Sequence, residues 1–139
     1  RSEDKDEQAI YTLRSSDRGH TWSEPTQVTA GKEHPPDLTM LSNGVVLLTY
    51  GRRHPSYGVE GRISLDRGHT WLDNTIILAS GLPGVDIGYP STVRLSNGNL
   101  ITVYYRAGTV EAPNDGYNAH EVSCVAICYS ESELIDAVY

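Results

Sequence analysis

Ser15-Ser-Asp-Arg-Gly-His-Thr-Trp22 (SSDRGHTW) returns as SLDRGHTW at 64–71, identical in seven of eight positions at a period of 49 residues. A second motif keeps step with it. LSNG at 41–44 recurs at 95–98, a spacing of 54, and each copy leads into an apolar segment ending in tyrosine, VVLLTY and NLITVYY. Two motifs in the same order at nearly the same period mark a structural repeat, and that has to be recognised before any element is assigned.

Between the motifs the pattern has period 2. In Val59-Glu60-Gly61-Arg62-Ile63-Ser64-Leu65, Val59, Ile63 and Leu65 share one side with Gly61, and Glu60, Arg62 and Ser64 take the other. No stretch sustains a helical period, and Gly and Pro recur too often for long helices. Strands are expected at 8–14, 37–42, 45–51, 58–65, 74–79, 91–96, 100–106 and 120–129. Asn43-Gly44 and Asn97-Gly98 read as tight hairpin turns. One repeat is then strand, Asn-Gly turn, strand, loop, strand, octapeptide turn, strand. That is a four-stranded antiparallel meander of about 50 residues, the unit of a β-propeller blade.

Ser-x-Asp-x-Gly-x-Thr-Trp resembles the Asp-box, the bacterial neuraminidase repeat, which in that family turns the chain between the third and fourth strands of a blade. The residue types suit a turn: Asp accepts backbone N–H groups, Gly allows positive φ, and Trp is expected to wedge into the packing. His20 and His69 lie inside the boxes, where exposed turn residues are expected rather than metal ligands. HPPDLTMLSNGVVLLTYGRRHPSYGVEGRISLDRGHTW and DIGYPSTVRLSNGNLITVYYR are similar to a stretch of sialidase-like exo-glycosidases, covering roughly residues 34–106. The resemblance implies an all-β partial propeller from a six-bladed parent. Residues 1–35 would supply the outer strands of one blade, 36–79 a complete blade, and 80–139 most of the next.

The 139 residues make one modest domain, yet fewer than three blades at this period, whereas ring closure takes about four to eight. The chain therefore reads as a fragment, with Arg1 in place of Met, or as a subunit needing the remaining blades or other copies of itself. The net charge of −7 argues against nucleic acid as a partner. Apolar runs such as Val45–Leu48 are far too short for a transmembrane helix, and RSEDKDE at the start is no secretion signal. The family resemblance leans towards a secreted or periplasmic location. Cys124 and Cys128, four apart on one strand, are about 13 Å apart, too far to pair within the chain. They are expected to be small buried hydrophobes beside Val122 and Ala126.

An up-and-down meander sends alternate loops to opposite ends. The Asn-Gly turns and octapeptides share one end. His34, Pro35, Pro36, Asp37, Arg52, Arg53, His54 and Tyr57 share the other with Asp86, Tyr89, Arg106, Glu111 and Asp115. Arginines, carboxylates and tyrosines converging on one end mark it as the candidate ligand-binding end. The sialidase resemblance gives them roles, because sialidases attack an anomeric carbon that carries a carboxylate with a tyrosine rather than a carboxylate. It implies Tyr89, in Gly88-Tyr89-Pro90-Ser91, as the nucleophile and Asp37 or Asp86 as acid/base or sugar-hydroxyl ligand. Arg52, Arg53, Arg106 and His34 would bind substrate, and one arginine of the Arg52-Arg53 pair should point inward. Glu60 reads as an ion-pair partner for Arg62 or Arg53. The expected partner is a terminal sialic acid or a similar acidic sugar such as a uronate, processed with retention. The chain by itself is expected to be inactive. The rival reading is a non-catalytic glycan-binding or scaffold propeller. No metal or nucleotide motif is present (HExxH, EF-hand, P-loop, GxGxxG), so neither a metal nor a cofactor is expected.

Overall fold

The computed structural model describes residues 8–109 and 121–137. It is all-β, with 49% strand and 7% helix, arranged as three antiparallel sheets in chain order. The first sheet pairs β1 (Tyr11–Thr12) with β2 (Thr26–Gln27). The second is the meander β3 (Glu33–Met40), β4 (Val46–Arg52), β5 (Gly58–Ser64) and β6 (Ile76–Ser80). The third holds β7 (Ile87–Arg94), β8 (Asn99–Ala107) and β9 (Val122–Ser130). A short helix, α1 (Glu131–Asp136), follows β9.

Each octapeptide wires its own turn. Asp66 Oδ1 accepts from Thr70 N (2.8 Å) and Oδ2 from Thr70 Oγ1 (2.7 Å), while Ser64 Oγ accepts from Gly68 N at 2.6 Å. The first copy repeats this through Asp17, Thr21, Ser15 and Gly19. Arg67 and Gly68 both take positive φ (60° and 79°), and a glycine at the second position removes the Cβ penalty there. Hydrogen bonds from Thr21 side chain and backbone hold the Asp17 carboxyl at about 2. The Thr70 backbone and hydroxyl hold Asp66 lower still. Both folded-state pKa values lie below the unfolded value near 4, so their stabilisation is complete above pH ~4 and is lost as pH falls from there through about 2. The urea midpoint should fall across that window. In the Asp17→Asn/Asp66→Asn variant it should start lower and fall less steeply, and equal slopes would remove the octapeptides from the acid sensitivity.

Side chains alternating along each strand fill two cores. Leu41, Val45, Leu47, Ile63, Leu100 and Leu134 pack between the second sheet, the third and α1. Ile10, Val28, Leu48 and Tyr50 pack between the first and second, with Trp71 laid against them. Near-identical octapeptides thus give their tryptophans different fates. Trp22 is 61% exposed, contrary to the expected wedge, because the described residues give the first sheet no counterpart of β4, whose Leu48 and Tyr50 Trp71 packs against in the second.

Other expectations also shift. Only Tyr11–Thr12 of the 8–14 segment pairs as a strand. The 42–44 turn is a single 3-10 turn, and at 95–98 Leu95 N donates to Asn99 O (2.8 Å) with Gly98 at φ 86°. The glycine is the left-handed residue that closes a three-residue hairpin loop. Helix α1 is an element the period-based reading missed. Ser130 Oγ accepts from Glu133 N and the Glu133 carboxylate accepts from Ser130 N, a complete capping box. Glu131 anchors it to the rest of the fold, accepting from Ser42 N (2.7 Å) and from Arg94 Nε. Burial alone would raise the Glu131 pKa, but these donors outweigh it and hold it low. Cys124 and Cys128 are exposed rather than buried, since no described sheet covers their side of β9.

Candidate functional site

Two bulges and two glycines shape the loop end opposite the octapeptides. β3 slips register between Glu33 and Pro36, and β7 between Gly88 and Ser91, so both inner strands enter through a proline-containing bulge. Between them Gly51 of β4 meets Gly88 of β7 backbone to backbone. A Cβ on Gly88 would lie 3.0 Å from Gly51 Cα, and one on Gly51 would lie 3.0 Å from His34 O. This close approach draws the ends of β3, β4 and β7 into one cluster.

Tyr89 sits on the β7 bulge with φ 48°, a left-handed conformation that a bulky residue rarely adopts, and is 59% exposed. Its ring stands 5.6 Å from that of Tyr105, and the Arg53 guanidinium carbon lies 5.2 Å from the Tyr89 centroid. Tyr105 Oη donates to Asp86 Oδ1. Burial first, then the Asp86 hydrogen bond and charge, push the Tyr105 hydroxyl up to about 12. Asp86 is therefore held by Tyr105, a residue that the sequence reading did not single out. The bulge is the reason: an unbroken ladder from the Leu95–Asn99 hairpin would have set Gly88 opposite Arg106, whereas the extra residue sets it opposite Tyr105.

Beside this cluster opens a cleft of about 300 Å³ lined by Lys32, His34, Arg53, His54 and Tyr57 among others, with no carboxylate among its described lining residues. Arg53 and His34 are buried, and Arg53 N donates to Lys32 O at 2.8 Å. Arg52 faces the opposite way. It donates to Glu60 Oε1 (3.1 Å) and to Pro55 O (3.2 Å), so the ion pair of Glu60 is with Arg52, a partner the sequence reading did not name. Asp37 is tied across the sheets, its Oδ2 accepting from Thr92 N at 2.8 Å. Arg106, one residue before the end of β8, lies opposite Ile87 and Ser123, half-buried. His54 joins the two sides, with Nε2 3.3 Å from Glu33 Oε1. Thus Arg53 and His34 line the cleft, with Tyr89 and Asp86 in the adjoining cluster. Arg52 and Asp37 are engaged elsewhere, and Glu111 and Asp115 lie outside the described residues. Among the described residues no cluster of metal-ligating side chains occurs.

These features define an all-β protein of consecutive antiparallel sheets with a cationic and aromatic loop end. The chain is similar to the crystal structure of a protein of unknown function from Dyadobacter fermentans DSM 18053. The two share 27% identity with a TM-score of 0.66, over 90% of this chain and 32% of that one. The chain thus spans about a third of the solved structure it matches. No protein-family model and no curated protein matches it. No helix among the described residues is long and apolar enough to cross a membrane.

Proposed function

We propose that the three sheets are consecutive blades of a sialidase-like β-propeller, and that the Arg53 end binds a terminal acidic sugar in an exo-glycosidase. The observation that carries this reading is the cleft: Lys32, His34, Arg53 and His54 line it, beside an exposed tyrosine held in a strained conformation. A strained residue beside a cationic cleft is a reason to look for function. The planar fork of Arg53 suits a sugar carboxylate, which would be repelled by an anionic nucleophile and leaves a neutral tyrosine as the suitable attacking group. In this reading Tyr89 attacks, Asp86 handles the proton with Tyr105 orienting it, and His34 contacts substrate. Asp37, Arg52 and Arg106 are secondary candidates. The scheme needs no metal or cofactor, and its other arginines would come from further blades.

The rival reading, a glycan-binding propeller without turnover, draws on the engagement of Arg52 with Glu60 and of Asp37 with Thr92. Saturation-transfer NMR on this chain should show contact with N-acetylneuraminate and none with galactose. Equal contact with both would sink the acidic-sugar reading. In a longer protein containing the chain, a fluorogenic sialoside should be cleaved and Tyr89→Phe should abolish cleavage. Binding without any cleavage would favour the rival, and release of sialic acid by the 139 residues alone would show that no further blades are needed.

A further inference from the structure

The His54 ring stands between the cleft and a buried carboxylate. It lines the cleft with Lys32, His34, Arg53 and Tyr57, and its Nε2 lies 3.3 Å from Glu33 Oε1. Glu33 belongs to a second hollow, on the side of Arg52 and Glu60. It is buried at the start of β3, where its other oxygen accepts from Ala30 N at 3.0 Å and holds the carboxylate in place. The remaining ring nitrogen has two neighbours of opposite kind. Nδ1 lies 3.4 Å from Arg52 Nε, a donor, and 3.3 Å from Pro55 O, an acceptor.

Both charge states of the ring therefore find partners without a change of position. A neutral ring with its proton on Nε2 donates to Glu33 and accepts from Arg52, whereas a protonated ring donates to Glu33 and to Pro55 O. Arg52 keeps Glu60 Oε1 and Pro55 O in either state. Histidine ordinarily exchanges its proton between pH 5 and 8. The other charged groups around the ring are Lys32 and Arg53 on the cleft side and the Arg52–Glu60 pair on the far side, residue types that do not ordinarily titrate in that range. Burial first, then the Glu33 charge, push the Tyr50 hydroxyl up to about 12, so it stays neutral there. The segments leading into the first and third sheets bring Gln8 and Val85 to the cleft, and neither carries a charge. His34 is the other lining residue of a type that titrates in this range.

We propose that His54, positioned by Glu33, makes anion binding in the cleft proton-linked: as the anion enters, His54 Nδ1 takes up a proton. For the sugar itself this rests on the acidic-sugar reading of the cleft. With the ring neutral, the Glu33 charge behind it opposes an anion. With the ring protonated, the His54–Glu33 pair is neutral overall and its positive member is the one on the cleft wall. An anion in the cleft thus favours the protonated ring, and by linkage the protonated ring tightens the anion by the same factor. Both ring N–H groups are already spent on Glu33 and Pro55 O, so His54 acts on the anion by its charge and leaves the hydrogen bonding to other lining groups.

Sulfate, an anion without a sugar, separates this linkage from the acidic-sugar reading. Titration calorimetry on the chain should show its affinity for sulfate falling about 5-fold or more from about pH 5.5 to about pH 7.5. His54→Gln should bind at the weak level throughout, with a flat profile. Glu33→Gln should bind sulfate more tightly than wild type at the upper pH, a gain that lost packing would not give. NMR needs no variant: the titration midpoint of the His54 ring should move to higher pH when sulfate is added. N-acetylneuraminate should follow the sulfate profile. If sulfate shows the profile and N-acetylneuraminate does not bind, the proton linkage stands and the acidic-sugar reading falls. A pH-independent wild-type affinity, an unmoved His54 midpoint or no sulfate binding at all would each overturn the proposal. So would a profile that survives His54→Gln in a chain with native circular dichroism, which would pass the role to His34.

Discussion

Gly88→Ala is expected to cost about 2–4 kcal/mol of folding stability, a large share of the roughly 5–15 kcal/mol of a natural domain. Two effects add. Gly88 holds φ at 105°, where a Cβ costs about 1–2 kcal/mol. That Cβ would also meet Gly51 Cα at 3.0 Å and Gly51 N at 3.5 Å, backbone atoms that yield only if the second and third sheets part. Gly98→Ala separates the two effects, since its φ is 86° but nothing lies within 4 Å of its Cβ, so it should show the backbone cost alone. Urea unfolding of both variants, read at equal m-values, makes the comparison. Equal losses would show that the Gly51–Gly88 approach is not a tight contact. Because Tyr89 follows Gly88 directly, the same substitution should weaken the contact of Tyr89 with Arg53.

That contact illustrates where sequence suffices and where it stops. The octapeptide turns were legible because every partner of Asp66 lies within four residues of it, in Ser64 and Thr70. Strand alternation was legible for the same reason, with neighbours in sequence placed on opposite sides. It also says that Arg52 and Arg53 diverge. The partner of Glu60 was not legible, being read as Arg62 or Arg53: the β4–β5 register sets Gly58 opposite Arg52, with Glu60 two residues along on the same side. What could not be counted is the bulge. One extra residue at Tyr89-Pro90 turns Tyr105 rather than Arg106 towards Gly88 and so gives Asp86 its partner. Pro90 hinted at it, since proline cannot donate to a ladder, but did not say which way the register would slip. Burial was the other gap. Trp22 and Trp71 sit in the same local text, and only the sheets around them decide that one is packed and the other exposed. The capping box Ser130-Glu131-Ser132-Glu133 was written in the chain, but six residues are too few for a period to reveal.

The largest effect on binding should come from Arg53. If its guanidinium binds a sugar carboxylate, Arg53→Ala removes charge-assisted hydrogen bonds worth about 1.5–3 kcal/mol, or roughly 10- to 150-fold in affinity. Arg53→Lys keeps the charge but loses the planar fork and its stacking on Tyr89, so it should recover only part of that affinity. Tyr89→Phe keeps the ring over Arg53 and loses only the hydroxyl, so binding to this chain should hardly change. Tyr89→Ala removes the ring as well and should weaken binding through Arg53. The order wild type and Tyr89→Phe, then Tyr89→Ala and Arg53→Lys, then Arg53→Ala is specific to a bound carboxylate supported by a stacked aromatic. A neutral ligand would lose little with Arg53→Ala while still depending on Tyr89. Titration calorimetry with N-acetylneuraminate measures the series, with circular dichroism of each variant separating lost binding from lost structure. An Arg53→Ala chain that stays folded and binds the acidic sugar as tightly as wild type would take Arg53 out of the site. The cationic cleft would then need another explanation.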